Sequence, residues 1–212
     1  MSKNANVDLV KLFGQVASNL LEEKDALNKA DTYNNDHGDN MVKTFQAIAS
    51  AVQEKQEGSP AEQLAYAGDV LSKSKSGSAQ VYANGLAQAS QQLAGKGAID
   101  AESANVLMQS LLGGGAEQPE GVSAGGDLLG SLLGGLGGGA DQAGGAGLDV
   151  GDLLNAGLAF MNAKQEGDST AEAAISALLA AGPLGQSEHR KQSGTIVANT
   201  LMQMLGSAMS GK

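Results

Sequence analysis

The 212-residue chain contains no cysteine. Disulfides and thiolate metal sites are excluded, and thiol usage says nothing about redox compartment. Positive charge is scarce as well. Thirteen Lys and Arg stand against 23 Asp and Glu, a formal net charge of -10. A nucleic-acid backbone is bound by a basic stripe that displaces counterions, and no such stripe exists here, so nucleic acid is not expected as a partner. An anionic membrane surface is disfavoured for the same reason. Long apolar runs are missing too: no segment approaches the roughly 20 residues that cross a bilayer. The opening MSKNANVDLV lacks a basic region followed by an apolar run, so no signal peptide is expected, and the location expected is cytoplasmic. Aromatics make up only 3% of the chain. Abundant Ala, Leu and Gln suit close-packed helices better than sheets, which favour β-branched and aromatic residues.

What is present is helical periodicity. The spacing predicts about eight antiparallel helices and no strand. The first runs from about Val7 to Asn28, with Leu9, Leu12, Val16 and Leu20 on one face. The second carries Met41, Phe45, Ile48 and Val52. The third opens at SPAE, where Ser59 can cap, Pro60 suits the first position and Glu62 can close a capping box. The fourth starts near Gly77 with Tyr82, Leu86 and Leu93, and the fifth follows a cap at Asp100. A sixth spans Asp149 to Ala163, and a seventh follows a second box, STAE, ending at Gly182–Pro183. The eighth runs from about Thr195 to Met209.

One domain of 1–212 is expected, with an insertion at Gly113–Gly147. That stretch holds 15 of the 31 glycines. Gly costs roughly 1 kcal/mol per helical position relative to Ala, which favours a flexible linker. Its paired leucines, as in GGDLLGSLLGGLGGG, are more than a solvating linker needs, and a lid that orders against a partner is the alternative.

Three polar stretches interrupt the helices. NNDHGDNM, Asn34 to Met41, is the most compact. Carboxylate and amide oxygens suit a hard cation such as Mg²⁺, and free N–H groups at a helix start suit an anion. The same residues are also ordinary caps and turn formers. SKSKSGSAQ, Ser72 to Gln80, could cradle a phosphate beside Lys73 or Lys75, or simply cap a turn. GQSEHRKQSG, Gly185 to Gly194, carries His189, Arg190 and Lys191 and reads as a charged loop. If the three converge at one end of a bundle, they make one site.

Taken together, the stretches resemble the L subunit, or nucleotide-binding L domain, of dihydroxyacetone kinase, and more loosely the related domain of fatty-acid kinases. YNNDHGDNM, Tyr33 to Met41, is similar to the family's GDGDHGTNM-like signature. SGSAQVY, LAGKGAIDAES and GPLGQSEHRKQSGTIVANTLMQML resemble its later turns and last helix. The resemblance implies an eight-helix barrel-like bundle that holds ADP or ATP through Mg²⁺, with the substrate on a partner subunit. It implies Asp36, Asp31, Asn34 and Asp39 as metal ligands, and His37, Gly38, Asn40, Gly77 and Ser78 as nucleotide contacts. The chain departs from the pattern where Asn34 replaces the first Asp, Asp39 replaces Thr and Ala79 replaces Gly. Two expectations follow from different classes. One is a kinase component, intact or weakened. The other is a noncatalytic descendant that keeps the bundle for binding or self-association, a pseudoenzyme.

Overall fold

Four of the helices, those that open at Leu9, Pro60, Gly77 and Ala101, begin at a local side-chain cap. In the computed structural model, which describes residues 7–113, 176–177, 179–180 and 182–210, Asp8 accepts from the N–H groups of Val10 (3.0 Å) and Lys11 (3.2 Å) and starts α1, Leu9–Glu22. The expected first helix then divides in two. Glu23 leaves helical geometry at φ -95°, ψ 5°, and α2 resumes over Lys24–Ala30. No Gly or Pro marks this break; α2 turns to pack on the next helix, α3, His37–Glu54. The predicted capping box is formed at α4, Pro60–Ser72, with both Ser59 and Glu62 bonds present. Ser76 caps α5, Gly77–Gln92, and Asp100 caps α6, Ala101–Leu112.

After one 3₁₀ turn at Pro183–Gly185, the last helix, α7, spans Glu188–Ser210. It starts a full two turns before the expected Thr195, so His189, Arg190 and Lys191 are helical rather than looped. Seven α-helices and no strand are found among the described residues. The predicted sixth helix, the STAE start of the seventh and the insertion beyond Gly113 lie outside them. Among the described residues no helix is long and apolar enough to cross a membrane.

The apolar faces read from the sequence meet in one core. Leu12, Val16, Leu20, Met41, Ile48, Val52, Leu64, Leu86, Leu107 and Leu201 are all fully buried. Burying such a side chain contributes roughly 1.5–3 kcal/mol. Phe45 lies at the centre, 6.4 Å from Phe13 and edge-on to Tyr82 at 4.8 Å between ring centroids. Successive helices from α3 to α6 pack on one another, and α7 returns against α1, α2, α3 and α6. The Asn19 amide donates to Thr200 Oγ1 (2.8 Å) and helps fix α7 on α1. That return brings the start of α7 beside the starts of α3 and α5.

Candidate functional site

The first wall of the site is the turn between α2 and α3. Asp31 ends α2 with its carboxylate turned inward, where it accepts from Tyr33 N–H (3.1 Å) and is only 3% exposed. Asn35 adopts a left-handed conformation (φ 57°), which Asn tolerates better than most residues. Asp36 sits at the N-cap of α3 yet makes no capping bond. Its Oδ1 accepts from the Asn40 amide (2.7 Å) instead. The capping oxygen comes from α2: Asn28 Oδ1 accepts from Asp39 N–H (3.2 Å), while the Asn28 amide donates to Asp39 Oδ2 (2.9 Å). This exchange joins two different helices, so no local sequence signal marks it.

The second wall is the entry to α5. The Ser76 N–H donates to Ser74 Oγ (3.2 Å), and Ser76 Oγ accepts from Ala79 N–H (3.5 Å). The Gln80 side-chain amide donates to the Ser72 and Ser74 carbonyls and holds the approach in place. The third wall is the start of α7. The His189 ring and Ser187 hydroxyl are 3.1 Å apart, and His189 Nδ1 lies 3.9 Å from Asp31 Oδ1. The Arg190 guanidinium reaches over the start of α5, where a Cβ on Gly77 would come within 3.4 Å of it.

These walls enclose a cleft of about 740 Å³. The turn before α3 and its first helical residues give Asp31, Tyr33, Asn34, Asp36, His37 and Asn40. The α5 entry gives Ser74, Lys75, Ser76, Gly77 and Ser78, and the third wall gives Gln186, Ser187, His189 and Arg190. Seven of the expected site residues are therefore together: Asp31, Asn34, Asp36, His37, Asn40, Gly77 and Ser78. Gly38 and Asp39 do not line the cleft. Gly38 faces α2, where an added Cβ would collide with the Lys24 carbonyl oxygen. Asp39 faces Asn28 and Lys24, its Oδ1 lying 3.6 Å from Lys24 Nζ. The Asn28 bond, and then Lys24 against some burial, hold the Asp39 carboxyl below its ordinary pKa. Lys73 and Lys191 also lie outside the lining.

Two histidines link the walls. Their ring centroids are 4.5 Å apart. His37 is buried, and its Nε2 is 2.9 Å from Ser193 Oγ. The Ser193 hydroxyl also reaches the Arg190 carbonyl (3.0 Å), so it ties the His37 ring to the start of α7. Burial, with His189 and Arg190 close by, pushes the His37 pKa down to about 4 against the pull of Asp31. The ring is neutral at pH 7. Burial raises the Asp31 pKa, but the Tyr33 N–H, the His189 ring and the N–H groups of Asp36 and Asn34 outweigh it, leaving the carboxyl below its ordinary value. Sequence reasoning missed Ser193 as the His37 partner and Tyr33 on the cleft rim. An aromatic in a chain with so few was the available signal for Tyr33.

Helix N-termini carry partial positive charge and unpaired N–H groups. With Lys75 and Arg190 on the lining, the arrangement suits an oxyanion with several oxygens. Residues 35–118 match the family model described as the DAK2 domain, the L-type domain of dihydroxyacetone kinases. The match takes in α3 to α6, and so the first two walls from residue 35 on, but not Asp31 or the third wall. No curated protein and no solved structure matches the chain.

Proposed function

We propose that the cleft binds the phosphates of a nucleotide of the ADP or ATP type. The chain would then serve as the L-type component of a dihydroxyacetone-type kinase, a single helical domain acting in the cytoplasm with its substrate on a partner subunit. The observation that carries this reading is the meeting of three helix starts, Lys75 and Arg190 on one cleft. The DAK2 match over residues 35–118 supports it. Ser78 and the N–H groups around Gly77 take a phosphate, Arg190 clamps it from above, and Asn40 and neutral His37 border it from α3. Phosphoryl transfer rests mainly on such positioning and charge neutralisation. Tyr33, 93% exposed on the rim, offers its ring to the nonphosphate part of the ligand.

The self-association reading rests on the Gly- and Leu-rich insertion, which lies outside the described residues beyond Gly113. The cleft favours the ligand-binding reading. Titration calorimetry and thermal melting with ADP and with ATP test it. Heat and a raised melting temperature are expected. Silence from both nucleotides at saturating concentration, with and without magnesium, sinks the reading.

A further inference from the structure

A pair of Mg²⁺ ions on a polyphosphate needs several carboxylate oxygens free to face them. The side chains in the four metal-ligand positions do not supply them. Asn34 is neutral. Asp39 is turned out of the cleft and held by Asn28 (2.9 Å) and Lys24 (3.6 Å). Asp31 is buried, accepts from Tyr33 N–H (3.1 Å) and faces His189 (3.9 Å). That leaves Asp36, with one oxygen already accepting from Asn40. Among the described residues no three His, Cys, Asp or Glu side chains group as metal ligands. The donor set does not fit the metal pair that the family resemblance implies.

The positive side of the cleft is better supplied. Among the described residues neither Lys75 nor Arg190 has a carboxylate within ion-pair distance. Arg190 lies over the α5 start, where a phosphate held by helix N–H groups would meet a guanidinium fork. We propose that this cleft takes its phosphate-bearing ligand without a divalent metal, its charge being met by Arg190, Lys75 and the helix starts. The inference rests on the proposed nucleotide reading and changes what neutralises the phosphates. It also predicts that magnesium competes with the protein for phosphate charge instead of bridging the two.

The test is calorimetric titration of the full chain with ADP in two arms, one in EDTA and one in excess magnesium chloride. The expected result is binding in EDTA that is equal to, or a few times tighter than, binding in magnesium. Binding that needs magnesium, weakening about tenfold or more in EDTA, overturns the inference and leaves the nucleotide reading standing. Silence in both arms overturns both. Three variants sharpen the outcome. Arg190→Ala should lose about tenfold in EDTA, with Arg190→Lys recovering part of it. Unchanged affinity in Arg190→Ala at unchanged melting temperature counts against the inference. Asn34→Asp restores a carboxylate and should create a magnesium preference that the parent chain lacks.

Discussion

The first turn of α3 has two sides that do opposite things. Toward α2, Gly38 leaves no room for a side chain, and Asp39 is held by Asn28 and Lys24. Toward the cleft, Asp36, His37 and Asn40 line an open polar space. Residues adjacent in sequence are thus divided between fastening and chemistry. The division has a physical consequence. Because Asn28 supplies the capping oxygen from another helix, Asp36 need not cap its own, and its carboxylate is left for the cleft. An Asp at an N-cap position would ordinarily be spent on the helix.

The largest expected effect lies on the cleft side. His37 has its pKa lowered from about 6.5 to about 4. Between those values the unfolded chain binds the proton more readily than the folded one, so stability is fully present above pH 6.5 and falls as pH falls toward 4. The loss over that window should be about 3 kcal/mol. Denaturant melts at pH 7 and pH 4.5 measure it, and His37→Gln should flatten this part of the slope. An equally steep slope in His37→Gln would mean that other groups carry the pH dependence and that the cleft side is not where the strain lies. Next comes the fastening side. Gly38→Ala forces α3 away from the Lys24 carbonyl and should cost about 1–3 kcal/mol. A variant that melts like the parent would show that α2 is not seated on α3 as described.

The two sides were not equally legible in the sequence. Helix starts at Ser59, Gly77 and Asp100 could be read because a cap and an apolar spacing are local signals, and the structure has helices beginning there. The break at Glu23 could not, since LLEEKDAL is helix-favouring throughout and only packing on α3 decides it. The early start of α7 was hidden by Ser193 and Gly194, which read as loop. Both are buried inside α7, Ser193 against His37 and Gly194 against Leu179 and Leu184, contacts made far along the chain. In the site, the residue types were readable and their directions were not. Nothing in NNDHGDNM tells Asp36 from Asp39: helical spacing alone would put residues three apart near one face, and it is Asn28 and Lys24 of α2 that hold Asp39 away from the cleft.

A smaller effect tests how the cap is supplied. Asn28→Ala removes the oxygen that accepts from Asp39 N–H and the amide that donates to its carboxylate, and should cost about 1 kcal/mol, as losing a cap does. Ligand affinity should be preserved, because Asn28 does not line the cleft. A fall in affinity larger than the fall in stability would mean that the two sides of α3 are coupled.

The smallest expected effect on stability is the sharpest comparison. Asp36→Ala alters a residue at the N-cap position, where loss of an Asp ordinarily costs about 1 kcal/mol. Here the carboxylate makes no capping bond, so the change should stay within about 0.5 kcal/mol. Its effect on binding runs the other way from a metal ligand's. Removing a negative charge from a cleft that meets phosphates with Arg190 and Lys75 should tighten ADP binding modestly in EDTA. If Asp36→Ala instead abolishes binding, and does so only when magnesium is present, Asp36 is holding a metal after all. If it melts a full cap's worth lower, then Asp36 fastens the helix, and the two sides of α3 do not divide between fastening and chemistry.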